Sequence, residues 1–181
     1  PINVKYSFKN GSHLQAGAVL RNMYYKDEVE DKDRIVTGWG ASLSGIWQFA
    51  ENTSLCFQGV YGKGISNYIQ DISGSGLDLV PSATAEGKLK AFGAWGGYIG
   101  FSHNWSKVLT SNIMYSYARV LDRYGMPTTS YKYAQYAAAN LFWDFSEYGS
   151  CAIEYVFGRR NDFNKDYGNA SRINTMIQYR F

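Results

Sequence analysis

The sequence predicts an all-β protein, an antiparallel transmembrane β-barrel of which about nine strands lie within the chain. Three observations predict this fold class. Apolar and polar residues alternate with a period of two over most of the chain. The connections between these alternating segments are by turns short and long, and aromatic residues gather near the segment ends.

Composition excludes several other classes. The chain has 181 residues, of which 17% are aromatic and 18% charged, and its formal net charge is +3. Abundant aromatic residues and a small net charge exclude an intrinsically disordered chain, and no apolar run approaches the roughly 18 residues of a membrane-spanning helix. The 2 cysteines are too few for a disulfide scaffold, and the dispersed basic residues do not indicate a nucleic-acid partner. A water-soluble sandwich and a membrane barrel remain, and residues 1–181 are expected to form a single region.

The first and last segments show the alternation most clearly. In the first, Ile2, Val4, Tyr6 and Phe8 oppose Asn3, Lys5, Ser7 and Lys9. In the last, Ile173, Thr175, Ile177, Tyr179 and Phe181 oppose Arg172, Asn174, Met176, Gln178 and Arg180. The same pattern predicts strands near residues 13–25, 34–50, 54–66, 88–104, 109–121, 131–145 and 150–159. Many exceed the five or six residues, roughly, of a strand in a soluble sheet, which favours strands that cross a bilayer.

The connections differ in length between the two edges of the expected sheet. Short turns fall near residues 9–12, 51–53, 105–108 and 146–149. Longer polar loops fall near residues 26–33, 67–87, 122–130 and 160–169. Outer-membrane barrels have short periplasmic turns and longer external loops, whereas a soluble meander has no reason to keep this asymmetry. The segment 70–87 is therefore expected to be an external loop.

The two faces of the strands also differ as lipid and water require. In the strand near 34–50, Trp39, Leu43 and Trp47 share one face, whereas Gly40 and Ser42 lie on the other. Aromatic residues near the strand ends are expected to form two girdles at the membrane interfaces. Near the short turns they are Phe8, Trp47, Phe49, Phe57, Phe101, Trp105, Trp143, Phe145, Tyr179 and Phe181. Near the long loops they are Tyr24, Tyr68, Tyr124, Tyr131 and Tyr133.

The number of strands bears on whether the chain forms a whole barrel. If the short turns are periplasmic, Phe181 ends the last strand in the periplasm, and counting back over about nine strands places Pro1 on the outer side. Bacterial single-chain barrels have an even number of strands. The sequence is therefore interpreted as the C-terminal part of a longer barrel, with a missed or split strand as the alternative.

Several stretches of the sequence carry a resemblance to a known family. Ile177, Tyr179 and Phe181 resemble the terminal signal by which the barrel assembly machinery recognises bacterial outer-membrane proteins. The other stretches are TGWGASLSG (37–45), GKGISNY (62–68), NLFW (140–143), EYVFGRR (154–160) and NASR (169–172). With these, nearly the whole chain resembles the DcaP-like porins, a trimeric outer-membrane family.

The resemblance implies a sixteen-stranded pore for small anionic solutes such as dicarboxylates. It also implies a homotrimer that is integral to the bacterial outer membrane, in contact with its lipid and lipopolysaccharide. On that template the chain supplies the C-terminal strands, from the eighth to the sixteenth. The inward-folded constriction loop of such porins would then lie outside this chain.

The charges expected to face the lumen are mostly basic. By parity they are Lys5, Arg21, Lys88, Lys90, Lys132, Arg172 and Arg180. Inward acids are fewer, and Asp144 and Glu154 are the clearest. Positive side chains in a narrow pore concentrate anions, so the sequence predicts passive diffusion of small anions; a water-filled lumen that tolerates any charge is the alternative. Arg119 has outward parity, so either a bulge turns it inward or it lies at the outer interface.

Other functions have less support in the sequence. The histidines are His13 and His103, no serine is oriented against either, and the protein is not expected to be an enzyme. Cys56 and Cys151 differ in parity and show no metal spacing, so neither a bridge, a metal nor a cofactor is expected. The acidic run 27–33 is expected to be a solvated loop, with divalent cations of lipopolysaccharide as the alternative ligand. A small closed barrel with a structural or adhesive role, an outer-membrane enzyme and an autotransporter translocator remain as rivals.

Overall fold

The chain folds almost entirely into strands. The computed structural model describes residues 1–82, 84–123 and 125–181. The strands are β1 (Ile2–Ser7), β2 (His13–Asp27), β3 (Lys32–Ala50), β4 (Thr53–Lys63), β5 (Leu79–Pro81), β6 (Leu89–Ala91), β7 (Gly93–Asn104), β8 (Leu109–Val120), β9 (Tyr131–Asp144), β10 (Gly149–Asp162) and β11 (Tyr167–Tyr179). Two short 3-10 turns, Ser66–Tyr68 and Gln70–Ile72, precede β5.

The wall of the protein is a single antiparallel meander. Within the described residues, nine strands form one sheet in the order β1-β2-β3-β4-β7-β8-β9-β10-β11. β5 and β6 pair only with each other. In the same residues no pairing joins β1 to β11, which are the edges of the sheet. The predicted antiparallel all-β architecture with about nine wall strands is therefore confirmed.

Several predicted strand bounds were wrong. The strand expected near 88–104 begins at Gly93, because residues 89–91 pair with β5 rather than with the wall. The strand expected near 54–66 ends at Lys63. β10 and β11 together extend over most of 160–169, so that connection is a tight turn of residues 163–166 rather than a long loop. The paired residues of this hairpin are largely polar; Arg159 lies opposite Asn169, and Arg160 lies opposite Gly168. Their polarity makes these strand ends look like a loop when only hydropathy is considered.

The outward face of the sheet is apolar and uncovered. Along β2, β3 and β7 the exposed residues include Leu20, Leu43 and Ile99. β8, β10 and β11 continue the same face with Ile113, Ile153 and Ile173. A water-soluble sandwich would bury such a face against a second layer. This face instead matches the lipid-facing band of a membrane barrel.

The hydrophobic core lies on the opposite, inward face. It joins apolar residues of the connection between β4 and β7 to small apolar residues of the wall. Among the described residues, no helix is both long and apolar enough to span a bilayer. The core thus lies between this connection and the sheet. The position of the connection determines which part of the inner wall faces water.

Candidate functional site

Residues 64–92 connect β4 to β7, and their described part, 64–82 and 84–92, is here called the inward loop. It lies against the inner face of the wall. The buried residues that it contributes are Ile65, Ile69, Ile72, Val80 and Phe92. They pack on Ala94, Ala118 and Val120, with Val19 and Val60 at the margin. Ile65, Phe92 and Val120 are 0% exposed. Burial of each such side chain contributes about 1.5–3 kcal/mol, so the loop is held firmly on the wall.

Glycines in the wall allow the loop to approach its backbone. A Cβ atom added at Gly40 would lie 2.9 Å from Cγ2 of Ile65. One added at Gly96 would lie 3.1 Å from Cγ2 of Ile69. The isoleucines of the loop therefore occupy space that larger wall residues would fill.

An ion pair fastens the loop to β2. Arg21 donates to a carboxylate oxygen of Asp78 at 2.9 Å and to the Gly64 carbonyl oxygen at 3.2 Å. The other Asp78 oxygen accepts from the backbone N–H and the hydroxyl of Ser66, each at 2.8 Å. Asn67 also donates to Asp78, at 3.1 Å. Asp78 therefore joins both ends of the loop to the wall, and we call this cluster the Asp78 latch.

Hydrogen bonds from two tyrosines hold further points of the loop. The Tyr131 hydroxyl at the start of β9 donates to Asp71 at 2.5 Å and also bonds the Ala118 carbonyl oxygen at 3.0 Å. The backbone N–H of Leu89 donates to the Tyr25 hydroxyl at 3.0 Å. The inward loop thus has attachments on both sides of the strands that it covers.

The expected position of this segment was wrong. Residues 70–87 were expected to be an external loop, and the inward-folded loop was expected to lie outside this chain. The structure instead packs the segment on the inner wall. The signal in the sequence was the apolar spacing of Ile65, Ile69 and Ile72 inside an otherwise polar loop. Apolar residues at inward parity, such as Val60 and Val120, were the matching signal in the wall.

Beside the loop, a row of polar side chains crosses the inner wall. Asn112 on β8 donates to Asn140 on β9 at 2.8 Å, and Asn140 donates to Glu154 on β10 at 3.3 Å. Asn174 on β11 donates to the other Glu154 oxygen at 2.9 Å. We call this row of side chains the polar ladder. Its hydrogen bonds fix a single carboxylate in a water-facing wall.

Ion pairs neutralise several of the other charges on the inner face. At the outer end of β2, the buried carboxylate of Asp27 accepts from Arg34 at 2.6 Å, and Arg34 also contacts Glu30 at 2.7 Å. Near the outer end of β10, Arg160 donates to Asp162 at 2.9 Å. The acidic run after β2 is therefore partly a structured rim of the wall rather than only a solvated loop.

The structure places the predicted lumen residues in different settings. Lys5 and Arg172 lie in wall strands on the inward face, and Arg180 follows β11 with the same parity. Lys132 lies where the register between β9 and β10 shifts, with its ammonium 5.9 Å from the centre of the Phe163 ring. Arg21 is inward as expected but is occupied by the Asp78 latch. Lys88 and Lys90 belong to the inward loop, so their expected position in a wall strand was wrong.

The outward face carries the aromatic girdles, with some changes in membership. Trp39 lies near Tyr61, and Trp95 stacks on Tyr117, which stacks on Tyr133. Tyr68 lies in the inward loop and Tyr131 holds that loop, so neither belongs to the outer girdle. Tyr124 lies outside the described residues.

Arg119 and the terminal signal also belong to the outward face. Arg119 pairs in regular register with Trp95 and Tyr133, which decides the open alternative in favour of the outer interface without a bulge. Of the terminal residues, Ile177 and Tyr179 project outward from β11, and Phe181 follows it.

The remaining candidate residues have simple environments. Cys56 and Cys151 are both free cysteines. The His103 ring nitrogen lies 2.8 Å from the Thr53 hydroxyl on the neighbouring strand. In the described ranges, no group of three or more His, Cys, Asp or Glu side chains is arranged to hold a metal ion.

Comparison with solved structures identifies the architecture. The outer membrane channel DcaP of Acinetobacter baumannii matches with a TM-score of 0.79 at 18% sequence identity, over 99% of this chain and 50% of that chain. The chain thus spans half the length of that channel. The NanC porin matches with a TM-score of 0.49 at 12% identity, over 99% of this chain and 91% of that chain. No curated protein sequence matches the chain.

The match to a sequence family covers the whole chain. The family described as DcaP outer membrane protein matches residues 1–181. This agrees with the porin-like backbone, the uncovered apolar face and the polar inner wall, and it places the chain as an integral protein in the outer membrane. The chain belongs to the DcaP outer membrane protein family.

Proposed function

We propose that the protein is a water-filled porin through which small anionic solutes, of the size of dicarboxylates, diffuse passively. The proposal needs further strands that pair with β1 and β11 and close the barrel, because open edges cannot remain unpaired in hydrocarbon. Sixteen strands in total and a homotrimer are the form that the family resemblance implies. Because the inward loop occupies space on the inner side of the wall, it narrows the lumen at its own level.

The observation that carries the anion preference is the pairing pattern on the inner face. Three acids on the inner face are each paired with an arginine of the wall. Two of them, Asp27 and Asp162, belong to the wall strands, and the third, Asp78, belongs to the inward loop. Those acids therefore present little charge to the lumen. Lys5 and Lys132 make no ion pair with another described residue, although the Lys132 ammonium lies 5.9 Å from the centre of the Phe163 ring.

The balance of the remaining charges is weakly positive. Arg172 interacts electrostatically with Glu154, so those opposite charges largely offset one another. In the described wall, Lys5, Lys132 and Arg180 then oppose Asp144. The inward loop adds Asp71, whose carboxylate accepts from the Tyr131 hydroxyl, together with Lys88 and Lys90. A lumen lined in this way raises the local concentration of anions.

Planar-bilayer recording of the full-length native protein under a KCl gradient tests the proposal. We expect stepwise conductance with a reversal potential that favours chloride. A cation-favouring reversal potential would contradict the anion preference but keep the pore, and a total lack of conductance would contradict the pore itself. Conductance steps in groups of three would support the homotrimer.

Matched lysine variants sharpen the test. Lys5→Gln and Lys132→Gln each remove one lysine charge. Each is expected to shift the ratio of chloride to potassium permeability by about twofold toward potassium, as one charge about 8 Å from a permeating ion does at roughly 0.1 M salt, where screening reduces the interaction to about half. Lys63→Gln is the control, because Lys63 lies on the outward face of β4 opposite Trp39. An equal shift in the control would show that the inner wall does not set selectivity.

A further inference from the structure

The outer ends of β7, β8 and β9 carry an arginine on the lipid-facing side of the wall. Arg119 lies opposite Trp95 and Tyr133 in unbroken register, and both of these aromatic residues face outward. A charged side chain on the lipid face is unfavourable near the middle of the bilayer and tolerated close to its interfaces. The height of Arg119 in the membrane therefore decides what it meets.

The register places Arg119 at the outer interface. It is the last residue but one of β8, which begins with Leu109 at the edge of the short turns. Arg119 is ten residue steps along the strand from Leu109. At about 3.3 Å a step and a strand tilt of about 40°, these steps rise about 25 Å, the height of the apolar band of an outer-membrane barrel. Arg119 thus reaches the level of the lipid headgroups in the outer leaflet.

The guanidinium of Arg119 lacks part of its hydrogen bonding. Its Nε is buried and has no hydrogen-bond partner among the described residues. Trp95 and Tyr117 stack beside it with ring centres 5.0 Å apart, and Tyr117 and Tyr133 with centres 5.4 Å apart. The Tyr117 side chain also interacts with Arg119. Arg119 makes a side-chain hydrogen bond with Tyr117 but no ion pair with a described carboxylate, so its positive charge is suited to an anion arriving from outside the chain.

An apolar groove begins next to this arginine. Gly59 and Gly97 are paired across β4 and β7 on the outward face, so no side chain fills the space there. Trp95, Ile99, Tyr115 and Tyr117 border a cavity of about 430 Å³ that includes Gly97. The groove runs from the level of Arg119 toward the middle of the bilayer. Its lining suits a hydrocarbon chain.

We propose that this surface binds one phosphorylated glycolipid of the outer leaflet, with a phosphate on Arg119 and an acyl chain along the groove at Gly59 and Gly97. The charge of Arg119, its height and the direction of the groove together match a lipid that has an anionic headgroup above an acyl chain. A second copy of the chain would need a carboxylate at the same height. The proposal does not depend on what passes through the lumen.

Arg159 offers a matched control. It lies on the same outward face, opposite Gln135 of β9. In contrast to Arg119, its Nε donates to Asn161 at 3.2 Å, and its guanidinium lies 4.2 Å from the centre of the Tyr167 ring. Its hydrogen bonding is thus met within the chain. Removal of this charge should leave lipid binding unchanged.

The experiment measures lipopolysaccharide bound to the delipidated full-length protein by native mass spectrometry, with tryptophan fluorescence as a second readout. Arg119→Gln is expected to weaken binding about tenfold or more, and Arg159→Gln less than twofold. Gly59→Leu fills the groove without a clash, because nothing lies within 4 Å of its added Cβ. It is expected to weaken binding while leaving Arg119 in place.

Other outcomes would overturn the proposal. Unchanged lipopolysaccharide binding in Arg119→Gln would remove the phosphate contact. Competition by millimolar inorganic phosphate as strong as that by lipopolysaccharide would show a simple anion site without a role for the groove. Loss of the oligomer in Arg119→Gln or Gly59→Leu, with lipid binding intact, would assign the surface to a second copy of the chain.

Discussion

The two sides of the inner wall are built on the same β-meander but are covered differently. On the side of β2, β3, β4 and β7, the inward loop buries the upper wall beneath Ile65, Ile69 and Phe92. On the side of β9, β10 and β11, the wall presents the polar ladder, in which Asn140 and Asn174 hold Glu154. The first side therefore resembles a protein core, and the second resembles a water-exposed surface.

The difference shows what determines whether a wall position is covered or wet. The strands alternate in the same way on both sides, but inward positions under the loop carry Val60, Ala94 and Val120, whereas those of the ladder carry amides and a carboxylate. Small apolar side chains leave room for a loop and gain from its burial. Side chains that hydrogen-bond to one another or to water gain nothing from such a cover.

The largest expected effect comes from breaking the covered side. Phe92 is 0% exposed in the core beneath the loop, and Phe92→Ala should cost about 3–5 kcal/mol of its packing. Opening of the loop should then become more frequent by about a hundredfold or more, since every 1.4 kcal/mol is tenfold. Trypsin cleavage after Lys88 and Lys90 in the purified protein reports this opening.

Phe101→Ala on the lipid-facing side of β7 is the control for Phe92→Ala. Phe101 is 42% exposed. It does not belong to the hydrophobic core that the inward loop forms with the wall. We expect normal protection of Lys88 and Lys90 in this variant. If both variants were cleaved at the same rate, the loop would not depend on the core that covers the wall.

The Asp78 latch gives the next largest effect, because its ion pair fastens the inward loop to β2 on the covered side. Asp78→Asn removes the partner of Arg21, whose side chain is 27% exposed in the ion pair. Loss of a charged hydrogen bond should cost the loop about 1.5–3 kcal/mol and so raise its cleavage by trypsin. The freed Arg21 should also shift the reversal potential in a KCl gradient toward chloride.

A double-mutant cycle separates the two consequences of opening the latch. Arg21→Gln alone removes a cation and the same hydrogen bonds, and the pair Arg21→Gln with Asp78→Asn leaves no charge at either position. We expect the double variant to lose the shift toward chloride, and its loop opening to be less than the sum of the single effects. Additive effects on both readouts would show that Arg21 and Asp78 act independently.

How far the sequence predicts this comparison depends on which residues carry it. The period-two alternation of β3 and β11 predicted the wall and its two faces, because lipid and water impose opposite demands on adjacent residues. The same parity puts Lys5, Glu154 and Arg172 at inward register positions of their strands, and their role in a lumen stays a prediction. Local patterning was sufficient wherever a residue's environment follows from its own strand.

The inward loop could not be placed in this way, because its environment is another part of the chain. Asp78 is separated from Arg21 by 57 residues, and Asp71 from Tyr131 by 60. The spacing of Ile65, Ile69 and Ile72 indicates that the loop has an apolar face, but it does not show which part of the chain that face packs on. Lys88 and Lys90 were misassigned for the same reason, since β6 alternates like a wall strand but pairs with β5.

The smallest expected effect tests the open side of the comparison, where Glu154 places one carboxylate in the wet wall. Glu154→Gln preserves the size of the side chain and one of the two hydrogen bonds that Glu154 accepts from Asn140 and Asn174. Because only one hydrogen bond of a water-facing wall is lost, the barrel should remain stable. Removal of one charge about 8 Å from a permeating ion should raise the ratio of chloride to potassium permeability by about twofold. The recording needs roughly 0.1 M salt, where the screening length is about 10 Å. Glu147→Gln, in the exposed turn between β9 and β10, should leave the ratio unchanged; an equal shift there would show that charge near the pore mouth, rather than the polar ladder, sets this part of the selectivity.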